Sequence, residues 1–319
     1  MKNRRCLVLG GAGFLGVHIV RCLLQNGLSV RVFGRNNKKI HRVLGDRAGL
    51  QVVTGDVNNQ NEVRDALEGV TDIVYLVHTT VPSSSMDDMA FDLESNIFPF
   101  IRLLESLSDY TKLQSFTYFS SGGTVYGDIQ EQQPVSEHHS LFPLSSYGLT
   151  KLIAEHYLRL YLSKSCMRSY VIRPSNAYGE GQNLNKPQGV VGHYLKALLT
   201  KKQITIYGNG NAIRDYIYAG DIAEAVRLCV LDNKGTSETC FYNVGSSKAV
   251  SLVDLVKNIE DVTGEKFDID WQPDRGFDCH YNVLDCSSII NQLGWRPELE
   301  MEEGIKRVWE SIQAEFNYE

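Results

Sequence analysis

The chain has no excess of positive charge, no long apolar run and no pair of cysteines at C-x-x-C spacing. Lysine and arginine number 32 against 38 aspartates and glutamates, for a net charge of -6. A mildly acidic surface gives no reason to expect a nucleic acid or a membrane as partner. The apolar runs are too short to span a bilayer. The seven cysteines (Cys6, Cys22, Cys166, Cys229, Cys240, Cys279 and Cys286) are odd in number. Reduced thiols in a cytoplasmic protein are the plain reading, and no metal site is expected. The start MKNRRCLVLGGAGFLG is basic and then apolar, like a signal peptide. Glycines interrupt its apolar stretch, however, and no clean small-residue cleavage site follows, so none is expected.

With 43% hydrophobic residues in 319, the chain can bury one large core or two smaller ones. Its first half alternates short apolar runs with helical periods. Strands are expected at 6–10, 28–34, 50–56, 72–78, 115–121 and 169–175, and helices at 14–26, 61–67, 90–108 and 146–162. This alternation predicts an α/β fold with a parallel, doubly wound (Rossmann) sheet. Beyond about residue 176 the pattern loosens, which suits a smaller α/β lobe with a ligand cleft between the two. The expected division is 1–175 plus about 216–244 for dinucleotide binding, and about 176–215 plus 245–319 for substrate.

GGAGFLG places Gly10, Gly13 and Gly16 directly after the first strand. The first glycine permits a tight turn, the second lets backbone approach a pyrophosphate, and the third lets the helix lie close to the sheet. Asp56, in TGDV, is placed to accept from an adenine amino group; an ordinary turn aspartate is the bland alternative.

Tyr147 and Lys151 form Y-x-x-x-K on one face of a predicted helix. Bringing a tyrosine from its usual pKa to near neutrality takes ~4 kcal/mol. An ammonium ~4 Å away at an effective dielectric of ~20 supplies about that much. Lys151 is therefore expected to activate Tyr147.

GGAGFLG, GDV, SSGGTVYG (120–127), SYGLTK, RPSNAYG (173–179), RDYIY (214–218) and LGWRP (293–297) together resemble the blocks of extended short-chain dehydrogenases/reductases of the NAD-dependent epimerase/dehydratase family. Within it, UDP-glucose 4-epimerases are the nearest type. The resemblance implies a nucleoside-diphosphate sugar as substrate, with the tyrosinate taking the proton of the sugar C4 hydroxyl while hydride leaves C4. An epimerase returns the hydride to the other face. A reductase performs only that second half on a 4-keto sugar. The resemblance also implies that Phe14, Leu15, Val57, Val77, Asn96 and Pro174 join the glycines, Tyr147 and Lys151 around the cofactor. On the substrate side it implies Asn176, Val190, Tyr207, Arg214, Arg275 and Asp278. A homodimer through the helices at 90–108 and 146–162 is implied as well.

The chain departs from that pattern twice. Where the family carries a bridging Ser or Thr, three residues before the valine of V-Y-G, stands Gly122. Thr124 is the first substitute and Ser121 the second. Where NAD-binding members carry an acid at the end of the second strand, this chain has Gly34 and Arg35. A glycine removes the repulsion of a 2′-phosphate, and Arg35, with Lys38 and Lys39 nearby, is suited to bind it. This favours NADP, whereas the family favours NAD. Asn282 falls where 4-epimerases gate N-acetylated sugars. His78 is expected at the end of the fourth strand, where packing is its plainer role. A 4-epimerase is the leading reading and an NADPH-dependent 4-keto sugar reductase the second. A C4,C6-dehydratase is disfavoured, because Gly123 and Thr124 stand where acids would. A non-catalytic dinucleotide sensor would have no use for Tyr147 with Lys151.

Overall fold

The computed structural model describes residues 4–107, 110–163, 165–184, 189–234, 238–274 and 279–317. Strands and helices alternate through the first half. They run β1 (Arg5–Leu9), α1 (Phe14–Gln25), β2 (Ser29–Gly34), α2 (Lys38–Leu44), β3 (Leu50–Thr54), α3 (Gln60–Leu67), β4 (Asp72–Tyr75), α4 (Met89–Ser106), β5 (Ser115–Phe119), α5 (Gly122–Val125), α6 (Ser146–Leu162) and β6 (Arg168–Pro174). Short-side-chain caps start several helices. Asp88 accepts from the Phe91 amide at 2.9 Å to open α4, and Ser145 accepts from the Gly148 amide at 3.2 Å to open α6.

The second half adds β7 (Asn176–Tyr178), α7 (Val190–Leu199), β8 (Ile204–Tyr207), β9 (Ile213–Arg214), β10 (Tyr216–Tyr218), α8 (Ala219–Leu231), β11 (Thr239–Val244), β12 (Val250–Ser251), α9 (Leu252–Thr263), β13 (Ile269–Gln272), β14 (Tyr281–Asn282), α10 (Ser287–Leu293) and α11 (Met301–Asn317). Seven strands form one parallel sheet in the order β11-β6-β5-β4-β1-β2-β3. Strand order reverses at β1, which pairs with β2 on one side and β4 on the other. That reversal opens a crevice beyond the carboxyl ends of the strands, the usual ligand position in such sheets.

Each face of the sheet has its own core. One gathers Val17, Ile19 and Leu23 of α1 with Ile222 and Val226 of α8. The other gathers Val63 and Leu67 of α3, Phe100 and Leu103 of α4, and Leu158 of α6. A third core, away from the sheet, joins Tyr178, Leu195, Ile206, Tyr216, Leu255, Ile259 and Ile305. Leu284, Ile289 and Trp295 belong to the first core, although they lie within the span expected to serve the substrate lobe.

Three local details differ from the sequence reading. β4 stops at Tyr75, so His78 lies in the loop that follows rather than on the strand. β3 stops at Thr54, before Asp56. Residues read as a basic loop form α2, because Ile40 and Leu44 recur at helical spacing and are buried in the first core.

Candidate active site

The glycine turn forms the floor of a cleft. Gly10 has φ +81°, a conformation that a side chain disfavours. At Gly16, an added Cβ would lie 2.5 Å from the Gly10 carbonyl oxygen and 2.6 Å from Gly11 backbone, so only glycine lets α1 press against the turn. Gly13 caps α1 without a side-chain hydrogen bond, which leaves the first amides of the helix free to meet an anion. Above the floor opens a cavity of about 750 Å³. Backbone this close, amides this free and a cavity this large fit the pyrophosphate and nicotinamide half of a dinucleotide.

At the far wall, α6 presents Tyr147 and Lys151 one turn apart, both lining the cavity. The Tyr147 amide donates to Ser85 Oγ at 3.0 Å, and Ser85 Oγ donates to the Pro82 carbonyl at 3.0 Å. The first turn of α6 is thereby tied to the loop after β4. Lys151 is 3% exposed. Its Nζ donates to the Phe119 carbonyl at 2.7 Å and stands 5.7 Å from the Tyr147 ring centre.

Burial dominates both side chains. It pushes the Tyr147 hydroxyl up to about 12; a hydrogen bond from Ser121 pulls the other way, and Asp92 adds to the rise. It lowers the Lys151 ammonium to about 7, against the opposing pull of Glu155 and Asp92. The attraction between the pair is set against the desolvation that each side chain bears. In a dry site that desolvation outweighs it.

Ser121 lines the cavity with Tyr147 and pulls its pKa down against the rise from burial. Thr124 also lines the cavity, and its Oγ1 is buried without a partner. Gly122 has no room to carry the hydroxyl that the family pattern places there. A Cβ would fall 2.6 Å from Leu284 Cδ1 and 2.8 Å from the Arg173 carbonyl oxygen.

Beneath the pair lies a polar network that sequence reasoning missed. Asp92 is fully buried. It accepts from Ser146 Oγ at 2.7 Å, Thr150 Oγ1 at 3.3 Å, Asn96 Nδ2 at 2.9 Å and the Thr80 hydroxyl. The pattern S-x-x-x-T on α6 facing D-x-x-x-N on α4 was its trace in the sequence. Glu155 and Arg173 form a second buried pair, with Arg173 Nε donating to Glu155 Oε1 at 3.0 Å and Nη2 to Oε2 at 2.6 Å.

The cavity brings together Gly10, Gly13, Phe14, Leu15, Gly16, Ser121, Thr124, Tyr147, Lys151, Pro174, Asn176, Val190 and Arg214. In this geometry Asn176 Nδ2 donates to the Asp215 carbonyl at 2.9 Å, and Arg214 donates to the carbonyls of Ile213 at 2.9 Å and Cys279 at 2.6 Å. Other expected residues lie elsewhere. Val57 and Val77 pack against the second core. Asn96 is buried and holds the loop after β4, accepting from the Thr79 amide at 2.8 Å. Asp56 lines a separate shallow depression with Asn58 and Arg102, and its Oδ1 accepts from the Asn58 amide at 3.0 Å. Tyr207 is exposed, because alternation along β8 buries Ile204 and Ile206 instead. Asn282 is buried, donating from Nδ2 to the Gly122 carbonyl at 3.2 Å, so it anchors the turn rather than gating a sugar. Arg275 and Asp278 lie outside the described residues.

The end of β2 is also rearranged. Arg35 is exposed and stands off the cavity. Instead Ala12, Asn36, Lys38, Lys39 and Arg42 line an adjoining depression of about 350 Å³. Lys39 lines the main cavity too, and its Nζ donates to the Gly181 carbonyl. Lys38 and Lys39 were expected beside Arg35, whereas Arg42 reaches the depression only because α2 forms. Asn37 braces this corner, donating from Nδ2 to the carbonyls of Gly34 and Val53, each at 3.0 Å.

Residues 6–245 match the model of the NAD dependent epimerase/dehydratase family. A protein of Methanocaldococcus jannaschii named putative UDP-glucose 4-epimerase is 31% identical, over 95% of this chain and 96% of its own length. A dTDP-4-dehydro-6-deoxyglucose reductase of Escherichia coli is 27% identical, over 98% of this chain and 99% of its own. The crystal structure of a Thermus thermophilus UDP-glucose 4-epimerase in complex with NAD superposes with a TM-score of 0.87 at 28% identity, covering 97% of this chain and 99% of that one.

Proposed function

Because the chain belongs to the NAD dependent epimerase/dehydratase family, and is thereby an enzyme that uses a nicotinamide dinucleotide, we propose that it is a nucleotide-sugar 4-epimerase. The observation that carries this reading is Tyr147, one helical turn from Lys151 and sharing with it and with Ser121 the wall of the cavity that the glycine turn floors. The dinucleotide supplies a reversible hydride acceptor. The free amides at the start of α1 hold its pyrophosphate, and Lys151, its Nζ fixed on the Phe119 carbonyl, holds a ribose hydroxyl.

Tyr147 takes the proton of the sugar C4 hydroxyl and returns it after the 4-keto sugar has presented its other face. Ser121 donates to the phenolate as it forms, which lowers the cost of that charge. Thr124 offers an unused hydroxyl to the substrate oxygen. Burial keeps water from the tyrosinate, and the hydrogen-bonded frame under α6 holds its position. Asn176 and Arg214 face the same cavity from the opposite lobe and suit the diphosphate.

One observation favours a second reading, that of an NADPH-dependent 4-keto sugar reductase. Gly34 stands where an acid would exclude a 2′-phosphate, and Lys38, Lys39 and Arg42 line the depression beside it. A reductant that is consumed must exchange each turn, which suits an open, cationic binding corner.

Purified protein incubated with UDP-glucose and no added cofactor, followed by proton NMR, tests the choice. Build-up of the C4 epimer without consumption of reduced cofactor supports the epimerase. No inversion, with NADPH oxidised only when a 4-keto sugar nucleotide is supplied, overturns it in favour of the reductase.

A further inference from the structure

His78 was expected to pack, and it does more than that. Its ring lies edge-on to Tyr147, with centroids 4.6 Å apart and planes at 77°. It lines the same cavity as Tyr147, Lys151, Ser121 and Thr124. Its Nε2 is buried with no hydrogen-bond partner and faces Asp92 Oδ1 at 3.8 Å.

Asp92 is a carboxylate that already gathers four donors. At 3.8 Å His78 and Asp92 form no hydrogen bond, but the negative carboxylate favours the neutral tautomer with its proton on Nε2. The other nitrogen, Nδ1, is then an acceptor on a ring that borders the cavity. Burial, with the Lys151 charge nearby, holds the ring neutral, so both roles persist near neutral pH. A purely packing role would be filled as well by a phenyl ring, and would not leave an imidazole with an unpaired nitrogen beside a buried carboxylate.

We propose that His78, oriented by Asp92, is a substrate-contacting residue that accepts a hydrogen bond from a sugar hydroxyl next to the one that Tyr147 deprotonates. Tyr147 and His78 then grip neighbouring hydroxyls of the ring. This pairing selects sugars that carry both and fixes which carbon faces the hydride site. The inference rests on the nucleotide-sugar reading above.

The test uses the full chain with its cofactor and compares His78→Phe with His78→Asn by calorimetry. The probes are UDP-glucose and UDP, which share everything except the sugar. Phe keeps the edge-on ring and removes the acceptor, whereas Asn keeps an acceptor. The expected result is an affinity for UDP-glucose about tenfold weaker in His78→Phe, unchanged affinity for UDP, and partial recovery in His78→Asn. Equal losses on the two probes, or none, would overturn the proposal. A wild-type protein that binds UDP-glucose no better than UDP would overturn it at the earlier step, by removing the sugar reading itself. Cofactor binding measured on each variant separates these outcomes from misfolding.

Discussion

At the glycine-turn end of the cleft, the side chains that differ most from the family pattern are loosely held. Arg35, Lys38 and Arg42 are exposed, and the depression that Lys38 and Arg42 border is open. At the Tyr147 end almost every group is fixed. Tyr147 is tied through its amide to Ser85. Lys151 is tied to a carbonyl, and Asp92 holds four donors beneath them. The contrast fits what the proposed function asks of each end. Proton and hydride transfer need reacting atoms held within tenths of an ångström. Choosing between a hydroxyl and a phosphate on the adenosine needs only charge, and exposed charges supply that at long range. The first end should therefore tolerate substitution that the second does not.

The largest effect is expected at the fixed end. Tyr147→Phe removes the proton acceptor while keeping the ring against His78, and it should lower kcat by roughly a thousandfold or more with cofactor affinity retained. Ser121→Ala, in the same assay, should cost roughly ten- to a hundredfold. Retained turnover in Tyr147→Phe would remove this end from the chemistry.

The next effect concerns stability. Lys151 is charged in the unfolded chain up to about pH 10.4 but only up to about 7 when folded. Between those values the unfolded state binds more protons, so stability rises with pH; below 7 the full cost of burying the charge is borne. Lys151→Met carries no such cost. Its stability relative to wild type should be greatest below pH 7 and should decline by up to about 1.4 kcal/mol per pH unit from there to pH 10. Parallel stability profiles in chemical denaturation would show that the ammonium is not desolvated as the geometry implies.

The smallest effect is expected at the open end. Lys38→Ala and Arg42→Ala should each weaken NADP by several-fold and leave NAD nearly unchanged, with the difference shrinking as salt is raised. Arg35→Ala should do less than either, because Arg35 does not border the depression. A greater effect at Arg35 would restore the assignment that the sequence suggested.

The legibility of the chain divides along the same line. Gly10, Gly13 and Gly16 could be read because their requirement is local, a turn and a close helix. Tyr147 and Lys151 could be read because helical spacing alone puts them together. The choice between Ser121 and Thr124 beside Tyr147 could not be read, since it depends on how α5 seats against α6. At Gly148 an added Cβ would come within 2.9 Å of the Thr124 carbonyl oxygen, which shows how tight that seat is. Asn282 was misread because β14 buries it beneath the Gly122 turn. Asp92 was invisible because its partners come from the loop after β4, α4 and α6, which only the tertiary fold unites. The parallel sheet followed from alternation, but the return of 281–295 to the first core depended on long-range packing.

Gly122 carries a consequence for how such enzymes diverge. A serine introduced there would collide with Leu284 and with a carbonyl of β6. The two placements of the helper hydroxyl are therefore not one substitution apart. Shrinking residue 284 would relieve only the first contact and leave a void in a buried core, while the second is with backbone and would remain. A chain that has adopted Gly122 is held there by its own packing, whatever sugar it serves.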